Sequence, residues 1–191
     1  MAKDRGLKVD HSSIQRWVVK FTPQLEEVVR KKKKPVGSSW RMDETYVKVK
    51  GKWKYLYRAV DKQGKTIDYL LTAKRDRGAA KRFFKKSISC NGVPEKINID
   101  KSGSNKAAIE DYNKESNTDI EIRQCKYLNN IVEQDHRFIK KIMRPMLGFK
   151  NFWSASITLA GIEIERMIKK GQLKNQENYT LSSLQQFLAL A

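Results

Sequence analysis

Three acidic side chains occupy settings from which they could act together. Asp43 lies in Trp40-Arg41-Met42-Asp43-Glu44-Thr45-Tyr46. Asp100 follows the short apolar run Ile97-Asn98-Ile99. Glu133 lies in Tyr127-Leu128-Asn129-Asn130-Ile131-Val132-Glu133-Gln134-Asp135-His136-Arg137. Acids are the minority here, 21 Asp and Glu against 40 Lys and Arg, for a net charge of +19. A charge that large selects polyanionic partners. Solubility alone would also explain it, but would predict few organised acids. Three converging carboxylates would make an all-oxygen site suited to Mg²⁺ or Mn²⁺. Two such ions ~4 Å apart can activate an attacking oxygen and stabilise a leaving one in an in-line phosphoryl transfer.

The elements around these acids must bring them together. Asp43 falls within a β-rich segment and Asp100 at the end of another. In open α/β sheets, sites gather beyond the carboxyl ends of strands. If the first strand is central and lies beside the fourth, the two aspartates meet. Glu133 opens a long amphipathic helix. Ile131, Val132, Phe138, Ile139, Ile142 and Met143 form its apolar stripe, and Glu133, Arg137, Lys140 and Arg144 a polar one. A metal-holding carboxylate followed by phosphate-holding cations is a workable order on one helix face. An ordinary solvated face with a Glu133–Arg137 pair is the bland alternative. His136 completes a Glu-x-x-His spacing, but di-iron sites need two copies and this chain has one. His136 therefore reads as a structural or DNA-contacting residue. The run Ala59-Val60-Asp61-Lys62-Gln63-Gly64-Lys65-Thr66 nearly matches a P-loop, yet a strand follows it where a helix is required, so it reads as a hairpin turn.

The wider pattern is α/β. Segments at about 40–49, 53–61 and 66–72 read as an antiparallel meander with turns at Gly51 and 61–64. Helices are expected over 76–89, 105–115, 129–144 and 154–170, with strands ending at Asp100 and spanning 120–124. The order βββαβαβα predicts a mixed sheet with helices on both faces. Ahead of it, residues 1–35 read as helical. Ser12 or Ser13 would cap a helix through Phe21, and Thr22-Pro23 would start a second. Ser13, Gln15 and Arg16 at its start suit a helix-turn-helix DNA reader, and a generic helical hairpin fits these residues equally. Pro35-Val36-Gly37 reads as a linker. Three divisions follow: 1–37, a helical DNA-binding segment; 38–173, the α/β domain; and 174–191, a tail with at most one short helix. Cys90 and Cys125 match no zinc or disulfide pattern and are expected as buried reduced thiols. No apolar run suggests a membrane span or a signal peptide.

The strings Trp-Arg-Met-Asp-Glu-Thr-Tyr (40–46), Tyr-Leu-Tyr-Arg-Ala-Val-Asp (55–61) and Lys-Tyr-Leu-Asn-Asn-Ile-Val-Glu-Gln-Asp-His-Arg (126–137) carry a resemblance. With Ile-Lys-Lys (139–141) and Met-Leu-Gly-Phe-Lys (146–150), the chain resembles the DDE transposases of small bacterial insertion sequences, in the replicative, cointegrate-forming branch. The likeness runs from about Arg5 to Leu173. It implies a ribonuclease-H-like core with a mixed five-stranded sheet. Asp43, Asp100 and Glu133 would hold two Mg²⁺ or Mn²⁺ ions and carry catalysis. The implied chemistry is hydrolysis that frees a 3′-hydroxyl at the element's end, then attack of that hydroxyl on target DNA. Lys140 matches a position that contacts end DNA, and the N-terminal helices match the end-recognition domain. The implied partners are double-stranded DNA, at inverted-repeat ends and target, and further copies of the chain in a dimer or larger assembly. The implied location is the bacterial cytoplasm, at the nucleoid. Two departures stand out. The 32 residues between Asp100 and Glu133 are at the short end of the family's range. The chain also begins inside the segment matching the helix-turn-helix region, which predicts that part of the N-terminal region is missing. A non-catalytic DNA-binding fragment that modulates the longer transposase is the alternative on that reading.

Overall fold

A computed structural model describes residues 9–101 and 103–174. The described chain divides into two compact units, residues 35–151 and a helical unit formed by residues before Pro35 with those from Phe152 onward.

The first unit is built on a sheet of order β3-β2-β1-β4-β5, comprising β1 (Ser39–Val49), β2 (Lys52–Asp61), β3 (Thr66–Thr72), β4 (Lys96–Asn98) and β5 (Glu121–Arg123). β1 to β3 are the expected meander. Lys50 and Gly51 both take positive φ (49° and 74°), which suits the two-residue turn between β1 and β2. The Asp61 carboxylate accepts from the backbone N–H groups of Gln63 and Lys65 (2.9 Å each), tying the next turn. The P-loop look-alike is thus a hairpin turn, as its flanking strands require.

The central strand is β1, antiparallel to β2 and parallel to β4. One sheet face meets α2 (Arg77–Asn91) and α3 (Gly103–Ser116). Trp40, Met42, Tyr57, Ala59, Ile67, Phe83, Phe84, Ile97, Ile99 and Ile109 form the core there. Asp76 caps α2 by accepting from the Ala79 N–H (2.7 Å), and Gly92 stops it at φ 81°. α4 (Asn130–Met143) packs on β1 and β2 and buries Val132, Asp135, His136 and Ile139. Short 3₁₀ turns at Lys126–Asn129 and Arg144–Met146 bracket it.

The helical unit differs from expectation. A single helix, α1 (His11–Lys32), runs unbroken through Pro23. Its cap is Asp10, whose carboxylate accepts from the Ser12 N–H (3.3 Å), in place of Ser12 or Ser13. A proline inside a helix costs about 3 kcal/mol. Here packing outweighs that cost. Thr22 and Val29 are buried, and α1 packs along α5 (Phe152–Lys169). The chain beyond each helix is joined by backbone bonds from Lys34 N–H to Gln172 C=O and Lys174 N–H to Lys32 C=O (2.7 Å each). The helix-turn-helix expectation is therefore corrected to one long helix among the described residues. The last expected helix also groups with α1 and not with the sheet. The expected tail lies outside the described residues apart from Lys174.

Cys90 and Cys125 are exposed, contrary to expectation. Cys90 sits near the end of α2, away from its packed face, and Cys125 in the loop after β5, so neither meets the core. No described helix is long and apolar enough to cross a membrane.

Candidate functional site

The parallel pairing of β1 with β4 matches Trp40 to Ile97 and Arg41 to Asn98. Asp43 and Asp100 each lie two residues beyond the last matched pair. The same register that joins the strands therefore sets the two aspartates side by side at their carboxyl ends. Asp100 lies just past β4, which is shorter than expected. Glu133 reaches the same place from the first turn of α4. Asp43, Asp100, Lys101, Lys126, Asn129 and Glu133 line one cavity of about 430 Å³.

Asp43 carries the electrostatic signature of the site. Burial, followed by the charges of Glu44, Asp100 and Glu133, raises its pKa to about 7. A carboxylate so crowded by acids needs either a proton or a cation. The unfolded chain releases this proton near 3.8, so ionised Asp43 opposes folding. The penalty is absent below that pH, grows as pH rises, and is complete above about 7. In metal-free protein at about pH 8, Asp43→Asn should therefore raise stability by on the order of 2–4 kcal/mol. The gain should vanish near pH 4. Thermal melts across that range check it, and an equal gain at both ends would remove the charge explanation.

Two of these acids also have other partners: His136 lies beside Asp43, and Arg75 and Asn105 meet Asp100. Among the described residues, no three Asp, Glu, His or Cys side chains are already drawn together tightly enough to grip an ion. Arg75 joins two of the acids near the cavity. It pairs with Glu44 and, at 3.3 Å, with Asp100. Asn105 donates to Glu44 (3.0 Å) and to Asp100 (3.5 Å). Burial opposes the Arg75 charge, but Glu44 and Asp100 more than offset this and raise its pKa. The donor chemistry and the charge of the cavity fit a hard divalent cation bound by Asp43, Asp100 and Glu133. The side chains form the donor set without forming a finished coordination sphere.

His136 is buried, with Nδ1 3.5 Å from the Asp43 carboxylate. Burial, then the charges of Arg58 and Lys140, lower its pKa to about 3. The proximity to Asp43 suggests an ion pair, whereas the environment keeps the ring neutral. Burial decides in favour of a neutral ring that packs against Asp43. A ring so enclosed cannot contact DNA, which settles that expectation in favour of the structural role. Behind it, Arg58 of β2 and Asp135 of α4 form a buried ion pair at 3.2 Å, with side chains 0% and 6% exposed.

A second device ties Glu133 to Asp100. The Asn98 amide, in β4, donates to the Asn129 side chain (2.6 Å) and the Cys125 C=O (2.9 Å), and its oxygen accepts from the Cys125 N–H (3.2 Å). Asn98 thus joins the strand two residues before Asp100 to the turn four residues before Glu133. Asn98→Ala should cost about 1–3 kcal/mol through the buried groups it strands. It should also raise the metal concentration needed for activity by about 10–100-fold, the usual effect of loosening a ligand's support. Metal titration of activity beside thermal denaturation checks both. Loss of stability without a shifted metal requirement would leave Asn98 a purely structural residue.

The expected DNA contacts divide between the units. Arg137, Lys140 and Arg144 lie on α4 and at its C-terminal end, with Arg137 and Arg144 exposed and Lys140 half-buried. Ser13, Gln15 and Arg16 lie in the first turns of α1, in the helical unit, with Gln15 and Arg16 exposed. The cavity is built from residues of the sheet unit alone. Sequence reasoning missed Glu44, Arg75, Asn98, Asn105 and Asn129. The adjacency of Asp43 and Glu44 and the Asn129-Asn130 pair were available signals. Nothing in the chain announced Arg75, which acts across 31 and 25 residues.

The chain is similar to known proteins over most of its length. Residues 37–172 match a family model described as a DDE domain. The chain is 38% identical over 181 residues to the transposase for the insertion sequence-like element IS431mec of Staphylococcus aureus strain Mu50, covering 94% of this chain and 80% of that one. The same figures hold for the Staphylococcus aureus transposase of insertion sequence element IS257 in transposon Tn4003. Among solved structures, the HTLV-2 integrase catalytic core domain in complex with magnesium, in a trimeric form, superposes with a TM-score of 0.53 at 18% identity. That match covers 80% of this chain and 96% of the core. The shared fold is the ribonuclease-H-like sheet with flanking helices.

Proposed function

We propose that this chain, which belongs to the insertion-sequence DDE transposases and is a polynucleotidyl transferase by that membership, cleaves DNA at the ends of its element and joins the freed 3′-hydroxyl to target DNA. The observation that supports the reading is the register of β1 against β4. It sets Asp43 beside Asp100, with Glu133 across the same cavity.

Asp43, Asp100 and Glu133 would hold the divalent ions, Mg²⁺ or Mn²⁺ and two in number. Bound there, the ions supply charge stabilisation to the entering and leaving oxygens. The magnesium carried by the similar integrase core accords with this. In the first step, water bonds to phosphorus at the element's end and the 3′-oxygen leaves with a proton. In the second, that 3′-hydroxyl loses its proton and bonds to a target phosphorus, whose own 3′-oxygen leaves. Neither step needs a redox partner or nucleotide. Lys101 and Lys126, on the cavity wall, are placed to hold the phosphates flanking the reacting one. His136 and the Arg58–Asp135 pair hold Asp43 and α4 in place from behind. Arg137, Lys140 and Arg144 extend the basic track along α4, and Lys140 contacts end DNA. Ser13, Gln15 and Arg16 read element ends from one continuous helix in the helical unit. Two ends must be handled together, so the working form is a dimer or larger assembly, acting on double-stranded DNA at the nucleoid in the cytoplasm.

A strand-transfer assay tests this. The chain, an oligonucleotide duplex carrying an element end and a supercoiled target are combined with Mg²⁺ or Mn²⁺. Joined product is expected with either ion and none with Ca²⁺ or EDTA. Cleavage of an RNA–DNA hybrid without any joining would replace the reading with a hybrid nuclease.

A further inference from the structure

A larger cavity than that of the acids, about 620 Å³, opens between the tip of the β1–β2 hairpin and the C-terminal end of α4. Its size falls in the ~300–1,000 Å³ range of clefts that take small organic groups. Two features of its wall belong together. Tyr46 and Trp53 stand edge to face, with ring centroids 6.1 Å apart, and are 50% and 59% exposed. Aromatic rings left that open on a monomer's surface are available platforms. Around them lie Lys48, Lys140 and Arg144. Some cations near the sheet are neutralised by acids, among them Arg75, Arg77, Lys81, Lys85, Lys86, Lys106 and Arg123. Among the described residues, Lys48, Lys140 and Arg144 form no ion pair.

The cavity is also preformed. Phe149 bridges to β1, its N–H donating to the Lys48 C=O (2.9 Å) while the Lys50 N–H donates to the Phe149 C=O (2.8 Å). Gly148 takes φ 107° and passes so close that a Cβ would lie 3.1 Å from the Lys48 carbonyl. The positive φ and the tight contact together favour glycine there. The wall is therefore fixed to the hairpin before any ligand arrives.

Building on the DNA-processing reading above, we infer that this cavity receives one unstacked nucleotide of the DNA strand, its base against Trp53 and Tyr46 and its flanking phosphates on Lys48, Lys140 and Arg144. Aromatic faces and unpaired cations together are the recognition chemistry of single-stranded nucleic acid. A purely apolar partner would leave the cations unmatched, and an acidic one would leave the rings unused. The position is also suitable. Lys140 lies seven residues along α4 from Glu133, about 10 Å at 1.5 Å per residue. That is about three nucleotides of one strand from the acids. A strand opened near its end could reach both places at once.

The test is fluorescence anisotropy of labelled DNA with the full chain in EDTA, where no chemical step occurs. Oligothymidylate and a blunt duplex of equal length are the probes. Trp53→Ala should weaken oligothymidylate binding about tenfold and duplex binding less than about twofold, and Trp53→Phe should recover most of the loss. Arg144→Ala should weaken both probes and lower the salt slope by about one. Trp53 is exposed, so its variants are expected to fold, and an unchanged melting midpoint confirms that. Equal losses on both probes would overturn the proposal in favour of a duplex track. No loss on either probe would overturn it outright, as would a changed sedimentation coefficient with unchanged DNA affinity, which would make a second copy the occupant. Oligothymidylate discrimination without any strand transfer in Mg²⁺ would sink the catalytic reading and leave this site standing. Strand transfer without discrimination would do the reverse.

Discussion

Asp100→Asn is expected to abolish strand transfer, by at least about 10³-fold, while DNA binding should stay within about twofold of the parent. The size follows from losing several kcal/mol of transition-state charge stabilisation, at about 1.4 kcal/mol per factor of ten. Asp100 is the informative acid because its substitution should leave the fold intact. Its side chain is 39% exposed and its partner Arg75 35% exposed, so their contact contributes little to stability. Asparagine keeps the shape and an oxygen that Arg75 and Asn105 can still meet. It lacks the charge that a divalent cation requires. The measurement is joined product per unit time in Mg²⁺ and in Mn²⁺, beside anisotropy with the same duplex. Undiminished joining would remove Asp100 from the metal set and, with it, the reading of the cavity. Parallel loss of binding and joining would instead mark Asp100 as an organiser of the DNA surface.

Asp135→Ala should destabilise the protein by about 3–5 kcal/mol, the cost of leaving a buried charge without its partner. Arg58 is fully enclosed beneath α4, and the ion pair at 3.2 Å answers its charge. The loss should not stop at stability. Asp135 shares α4 with Glu133, and His136, packed on Asp43, is its neighbour in sequence. A shifted helix would misplace both acids. Chemical denaturation gives the first effect, and metal dependence of joining gives the second. Arg58→Met with Asp135→Leu, which removes both charges, should recover much of the stability, since a well-packed apolar pair is often as stable as a buried ionic one. If Asp135→Ala costs less than about 1 kcal/mol, water must reach Arg58 and the core beneath α4 is less dry than its burial implies.

Much of this was legible in the chain because the deciding interactions are local. Alternation of Val, Tyr and Trp marks β1 and β2, whose bounds lie within a residue or so of expectation. The apolar stripe of α4 and the breaks at Gly92 and Gly148 depend on near neighbours. The candidate acids stand out because acids are scarce and lie in recognisable strings. That a central first strand beside the fourth would unite Asp43 and Asp100 follows from a general rule of open sheets, and the register agrees.

What only the tertiary structure decided involves residues far apart in the chain or energies that packing overrides. Thr22-Pro23 reads as a helix start, and the local signal was sound. α5 overrode it, because burying Thr22 and Val29 outweighs one lost backbone bond. Arg75 between Glu44 and Asp100, Asn98 on Asn129, and Arg58 under Asp135 are contacts across 25 to 77 residues. Their worth depends on distances of a few tenths of an ångström and on exclusion from water. The three candidate acids could therefore be picked out in the chain, and the folded chain brings them to one cavity. Their spacing, the raised pKa of Asp43 and the neutrality of His136 arise when the folded chain removes water from around them.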